Sequence, residues 1–291
     1  MKDQAQRLRS LVAAAGIHRP LSETTSQARV ISITSGKGGV GKTTLAVNLA
    51  LAAQKAGLST VLFDADLGLA NIDIVLGLLP SYNLMHVLRG EKTISQITYE
   101  GPEGLRLVAG GSGWAELANL NKSQLGKFIA GLAELDSTSD LILVDTGAGL
   151  SESVLSFLSA SQEIIVVTTP EPTAITDAYA VIKQLSKQEN KCLHVVVNRA
   201  RHRQEAEAVF RKIATTANRF LQVDLNFAGW IPEDSLVTRS IIRQQPVVLQ
   251  YPNSGVAAAI CRLQTVLFSS AAPKEDGLRA FFSRLARFLG G

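Results

Sequence analysis

Gly36-Lys37-Gly38-Gly39-Val40-Gly41-Lys42-Thr43-Thr44 is the stretch around which the chain is organised. It fits G-x-x-x-x-G-K-[ST]. The run Val30-Ile31-Ser32-Ile33-Thr34 before it reads as a buried strand, and Leu45-Ala46-Val47-Asn48-Leu49-Ala50-Leu51-Ala52 after it reads as a helix. Strand, glycine-rich loop and helix together form the context of a phosphate-binding loop. Glycines let the backbone curl until several N–H groups point at one anion. The following helix adds about half a positive charge at its N-terminus. Lys42 is placed to reach β- and γ-phosphates, and the Thr43 hydroxyl to ligate Mg²⁺.

The rest of the composition suits such a domain. The chain has 291 residues, 46% of them hydrophobic but only 5% aromatic. Runs rich in Val, Ile, Leu and Ala are what a parallel sheet buried on both faces requires. The expected fold is therefore α/β: a P-loop NTPase with a mostly parallel central sheet and helices on both faces. A formal net charge of +4 is too small to argue for nucleic acid, and DNA is not an expected partner. Cys192 and Cys261 are the only cysteines, far apart, so neither a disulfide framework nor a metal motif follows, and the expected setting is a reducing cytosol. The polar start Met1-Lys2-Asp3-Gln4 is no secretory signal, and no run of about 18 apolar residues spans a membrane.

Acidic residues recur where strands should end. Thr60-Val61-Leu62-Phe63 leads into Asp64-Ala65-Asp66, whose two carboxylates share a side of an extended segment. One can organise Mg²⁺ and the other can orient an attacking water. Leu141-Ile142-Leu143-Val144 ends in Asp145, which suits Mg²⁺ held through water. Thr146-Gly147-Ala148-Gly149 follows as a hinge able to sense a γ-phosphate. Leu193-His194-Val195-Val196-Val197 leads to Asn198-Arg199, and the Asn198 amide can both donate to and accept from the edge of adenine. His194, in mid-strand, reads as structural. The basic group Arg199, Arg201, His202, Arg203 reads as a solvated loop.

Several of these segments carry a resemblance. Lys37, directly after the first glycine, resembles the deviant phosphate loop of the MinD/ParA family, in which the extra lysine crosses a dimer interface to the partner's nucleotide. Residues 64–73 resemble the switch I pattern D-x-D-x-G-x-x-N-x-D, which implies that Asp66 positions the catalytic water and Asp64 supports phosphate and metal contacts. Asp145 resembles a Walker B acid and 145–150 a switch II. Asn198 with Arg199 resembles the family's base-binding pair, and Ile231-Pro232-Glu233-Asp234 the loop that closes over adenine, so Pro232 and Glu233 join the implied site. The resemblance implies an ATP hydrolase that binds ATP, ADP and Mg²⁺, is a homodimer when ATP-bound, and acts catalytically through Lys37, Lys42 and Asp66. Asp3-Gln4-Ala5-Gln6-Arg7-Leu8-Arg9 is similar to the D-Q-A-x-x-L-R segment of the FlhG (YlxH/FleN) regulators of flagellar number and placement. There the segment activates the SRP-type GTPase FlhF, which makes Gln4 the implied partner-binding residue.

The two ends complete the expected organisation. Residues 1–16 read as an activator helix with Ala5, Leu8, Leu11, Val12 and Ala15 on one face, 17–29 as a polar linker, 30–268 as the ATPase domain, and 269–276 as a second linker. In 277–291, Leu278, Phe281, Phe282, Leu285, Phe288 and Leu289 form an apolar stripe, with Arg279, Arg284 and Arg287 away from it. Two coverings are open to such a stripe: the chain's own core, or a lipid surface. The preceding linker and the resemblance to the MinD membrane-targeting tail favour anionic lipid, hence a cytoplasmic protein peripheral at the inner face of the cell membrane. Flagellar transcription regulators or C-ring proteins are further candidate partners. Rival readings are a division-site MinD-like ATPase, a ParA-like partition ATPase, and a mainly non-catalytic antiactivator.

Overall fold

β-Branched and leucine-rich runs become the strands of one sheet. The computed structural model describes residues 28–66, 72–111, 122–188, 190–268 and 277–289. Its strands are β1 (Arg29–Ser35), β2 (Thr60–Ala65), β3 (Thr98–Glu100), β4 (Arg106–Ala109), β5 (Leu141–Ala148), β6 (Glu163–Thr168), β7 (Cys192–Ala200) and β8 (Asn226–Pro232). They lie in the order β3-β4-β2-β5-β1-β6-β7-β8. Every pairing is parallel except β3 with β4. The expected α/β fold with a mostly parallel sheet is the one formed.

Both faces are covered, which is why the strands carry apolar residues at consecutive positions. Ile31 and Ile33 of β1 join one buried cluster with Leu62, Leu143 and Ile165, while Val30 joins another with Val61, Phe63 and Val144. Helix α1 (Lys42–Lys55) is buried along ten positions, from Lys42 through Ala53. It lies between the sheet and a later helix, Gly255–Phe268. Because β1 sits between β5 and β6, the C-terminal ends of β2, β5, β1, β6, β7 and β8 line one edge, where ligands bind in sheets of this kind.

The C-terminal helix (Leu278–Leu289) departs from the lipid-facing expectation. Leu278, Phe281, Phe282 and Leu285 are all at most 2% exposed. The Phe282 ring meets Phe63, Phe128 and Phe281 at centroid separations of 5.9, 5.2 and 5.2 Å. The buried Asp136 carboxylate accepts the Leu278 N–H at 3.0 Å, satisfying one of the donors a helix start leaves open. Arg284 Nε donates to the Ala160 carbonyl at 2.7 Å. Phe288 is exposed; the Leu289 side chain lies outside the described residues, as do 1–27 and the whole of the second linker. An amphipathic pattern specifies that a stripe is covered, not what covers it. Here the chain's own core does so.

Because Phe282 fills a buried aromatic cluster, Phe282→Ala is expected to lower the unfolding free energy by roughly 3–5 kcal/mol in urea denaturation. An unchanged unfolding midpoint would mean that the helix does not occupy this position in solution.

Candidate nucleotide-binding site

The loop at 36–44 takes its shape from two close approaches. A Cβ on Gly36 would lie 2.1 Å from the Asp177 carbonyl carbon, so the loop abuts the backbone of the helix Pro172–Leu185. Gly41 has φ +90°, and a Cβ there would lie 2.4 Å from Asn198 Nδ2. Helix α1 starts directly after it, without a side-chain cap on its first N–H groups. Those donors and the helix dipole are thus turned toward the loop.

Lys42 is nearly buried and donates to Asp145 Oδ1 at 2.7 Å, with Thr43 Oγ1 at 3.5 Å. Asp145 is 1% exposed, and its Oδ2 has no hydrogen-bond partner. Parallel register sets Asp64 of β2 directly beside Asp145 of β5. Burial pushes the Asp64 carboxyl up to about 7; the Asp66 N–H, donating to Asp64 Oδ1 at 3.1 Å, opposes this, and the Asp145 charge adds to it. Burial likewise raises Asp145, against the pull of the Lys42 ammonium. Asp66 is half-buried, and a Cβ on Gly147 would lie 3.5 Å from its Oδ1. The expected residues Lys42, Thr43, Asp64, Asp66 and Asp145 therefore gather at one strand edge.

A cavity of about 500 Å³ opens beside the loop between Gly41, Thr44, Asn198, Pro232, Glu233 and Val256. Asn198, expected to meet a base edge, also braces the loop: its Nδ2 donates to the Val40 carbonyl at 2.7 Å and its Oδ1 accepts the Arg199 N–H at 2.9 Å. One N–H and one lone pair remain for a ligand. Arg199 is exposed with φ +55°. Asp234 caps the following helix through the Leu236 N–H, holding Pro232 and Glu233 at the cavity rim.

Known proteins share this domain and its fold. Residues 31–247 fit the model of the CobQ/CobB/MinD/ParA nucleotide binding domain. The chain belongs to that family. It is 40% identical to the antiactivator FleN of Pseudomonas aeruginosa, over 85% of this chain and 86% of that one. It is 36% identical to the flagellum site-determining protein YlxH of Helicobacter pylori, over the full length of both. Among solved structures, MinD of Pyrococcus horikoshii complexed with Mg-ADP superposes with a TM-score of 0.67 at 29% identity, covering 83% of this chain and 96% of that one. The MinC:MinD complex of Aquifex aeolicus gives 0.68 at 29% identity, covering 84% and 98%.

The residues present fit a divalent cation. A buried carboxylate oxygen without a partner, a second buried carboxylate beside it and a hydroxyl on the same side form a hard oxygen set of the kind Mg²⁺ takes. Thr43, Asp64 and Asp145 would hold it, and the ion would supply charge neutralisation at the phosphates.

Lys37 stands apart from this group. Its Nζ donates to Glu171 Oε2 at 2.9 Å and to Thr173 Oγ1 at 3.0 Å, on the exposed side of the loop. That hydrogen bond and charge hold Glu171 below the usual carboxylate range. Reading the sequence alone missed Glu171, although a carboxylate just before Pro172, the first residue of a helix, was a signal available to it. Gln4 lies outside the described residues, and the stripe of the C-terminal helix belongs to another part of the molecule.

Gly41→Ala forces both a left-handed backbone on an L-residue and a displaced Asn198. With about 1–3 kcal/mol of strain in the loop, nucleotide affinity should fall by roughly 5- to 150-fold in a fluorescent-nucleotide titration. Unaltered affinity would show that Asn198 and the loop adjust independently.

Proposed function

We propose that this chain is a slow, switch-type ATP hydrolase that dimerises on ATP and regulates flagellar number and placement. The full-length similarity to a flagellum site-determining protein carries the flagellar reading. The buried Lys42–Asp145 pair beside Asp64 carries the chemical one. The loop N–H groups and Lys42 bind the phosphates, while Asn198, Arg199, Pro232 and Glu233 enclose the adenine. Asp66 orients the water that attacks the γ-phosphorus, and the 145–150 hinge responds when that phosphate leaves. Lys37 leaves Glu171 and reaches the partner's nucleotide. Lys37 is exposed and held by one surface ion pair and one hydrogen bond to Thr173, each worth little in solvent, so its transfer to a phosphate is cheap.

In the same reading the C-terminal helix exchanges its cover. Each large side chain gains roughly 1.5–3 kcal/mol from full burial, whether the cover is protein or lipid. Arginines near anionic lipid add about 1 kcal/mol each. Lipid burial and the arginines offset part of what leaving the core costs, and pairing two helices on one dimer adds about 10²–10⁴ in avidity. The protein is then cytoplasmic as a monomer and peripheral at the membrane as an ATP dimer. The arm 1–16 stimulates an FlhF-type GTPase through Gln4.

A second reading draws on the antiactivator FleN: the ATP-bound chain mainly sequesters a flagellar transcription activator. Asp66→Ala separates the two. Normal flagellar number with a variant that binds but does not hydrolyse ATP would favour sequestration.

ATP should bring the wild type to a dimer in light scattering and to the pellet with anionic liposomes. Lys37→Ala should stay monomeric in solution with nucleotide bound, and Arg279→Glu/Arg287→Glu, which leaves the buried face of the C-terminal helix intact, should dimerise without pelleting. ATP-dependent dimers of Lys37→Ala would overturn the role given to Lys37.

A peptide of residues 1–20 should speed GTP hydrolysis by an FlhF-type GTPase, and its Gln4→Ala form should not. Equal rates with both peptides would remove Gln4 from the reading.

A further inference from the structure

At the opposite edge of the sheet from the nucleotide loop, three metal-ligating side chains converge. Parallel register sets Glu163, the first residue of β6, beside Cys192, the first residue of β7. His194 is two residues further along β7, on the same face as Cys192. His194 Nε2 lies 2.9 Å from Glu163 Oε1 and 3.3 Å from Cys192 Sγ, and the three ligand atoms lie within 4.8 Å of one another. The nucleotide site uses none of them: six residues of β6 separate the two edges by about 20 Å.

We propose that Cys192, His194 and Glu163 form a site for a divalent transition metal of the zinc class. One thiolate, one imidazole and one carboxylate are the donor types zinc selects, and three protein ligands leave a fourth position open to water or another donor. Ligand atoms around a tetrahedral zinc lie roughly 3.3–3.6 Å apart. The separations of 2.9 and 3.3 Å are within a few tenths of an ångström of that. One His194 nitrogen faces both other ligands, so a metal takes the place that a single shared proton holds between them.

The surroundings support the site. Arg29 forks onto Glu163, with Nε donating to Oε2 at 2.8 Å and a second guanidinium nitrogen on Oε1. Arg29 is itself anchored on the Leu267 carbonyl at 2.7 Å. A ligating carboxylate oriented by a further hydrogen-bonded group is the usual outer arrangement of metal sites. Thiolate and carboxylate cancel the charge of a divalent ion, so the guanidinium faces a neutral group. Asn226, at the start of β8, directs its Nδ2 toward the sulfur at 3.6 Å. Glu163 and His194 are largely buried, whereas Cys192 is exposed, which gives an ion a way in.

The untagged full-length protein, reduced and stripped with a chelator, is titrated with cobalt(II) and then with zinc. One equivalent of cobalt should give a thiolate-to-metal absorption band that zinc abolishes, and zinc should raise the melting temperature. Cys192→Ser and His194→Ala should lose the band and the shift while binding a fluorescent ATP analogue as the wild type does. Cys261→Ser, at the other exposed cysteine, should keep both. Absence of a stoichiometric band in the wild type, its survival in Cys192→Ser or His194→Ala, or its loss in Cys261→Ser would each overturn the proposal.

Discussion

The contact between Lys42 and Asp145 is the constraint from which the site is built. Removing two opposite charges from water costs several kcal/mol per ion, and a buried pair recovers this only with good geometry and further hydrogen bonds. The Lys42–Asp145 contact has the geometry, at 2.7 Å. It lacks the further bonds, because Asp145 Oδ2 is left without a partner. An unsatisfied buried acceptor costs about 1–3 kcal/mol. Two of the other buried side-chain oxygens without a partner, Thr34 Oγ1 and Thr169 Oγ1, also lie near the C-terminal ends of β1 and β6. Polar groups kept unpaired along one strand edge are groups that a polyanionic ligand and its cation can satisfy. The strand order makes this possible: β5 sits next to β1, so its carboxylate reaches the lysine that follows the loop of β1.

The loop carries two lysines in opposite physical states. Lys42 is buried and paired with a buried acid, so replacing it strands a charge. Lys37 is paired with an exposed acid in solvent, where the pair is screened and weak. A side chain with that little holding it can be reassigned by any stronger anion brought near. A loop of one sequence thus turns one lysine inward to its own strand edge and presents the other at its surface. The difference comes from burial alone.

Much of this was legible in the sequence. Glycine spacing, a strand before and a helix after gave the loop. Acidic residues closing apolar runs gave Asp64 and Asp145 at a common edge, because parallel strands put all their C-terminal ends on one side. Asn198 was legible as a ligand for the cavity but not as a brace on Val40, since that contact joins residues 158 positions apart. Glu171 escaped notice for the same reason: its partner is set by how the helix beginning at Pro172 meets the loop. The stripe of the C-terminal helix was legible, but not what covers it in this structure. Period and composition describe a face with equal force for lipid and for protein, and only the presence of Phe63 and Phe128 opposite that face decides which one it meets. His194 was read as structural from its place in mid-strand. Its neighbours Glu163 and Cys192 became visible only through strand register.

One carboxylate ties the two ends of the chain together. Asp136 Oδ1 accepts the N–H of Leu278 at 3.0 Å and that of Ala28 at 3.2 Å. Ala28 leads directly into β1, and Leu278 opens the C-terminal helix. The residue before β1 and the first residue of the C-terminal helix are therefore held at a single buried oxygen. If the helix leaves, Asp136 loses the bond from Leu278, and the cost of that loss adds to the apolar surface uncovered on Phe63 and Phe128. Asp136 Oδ1 is thus one acceptor shared by the strand that leads into the nucleotide loop and the helix that closes the opposite face of the core.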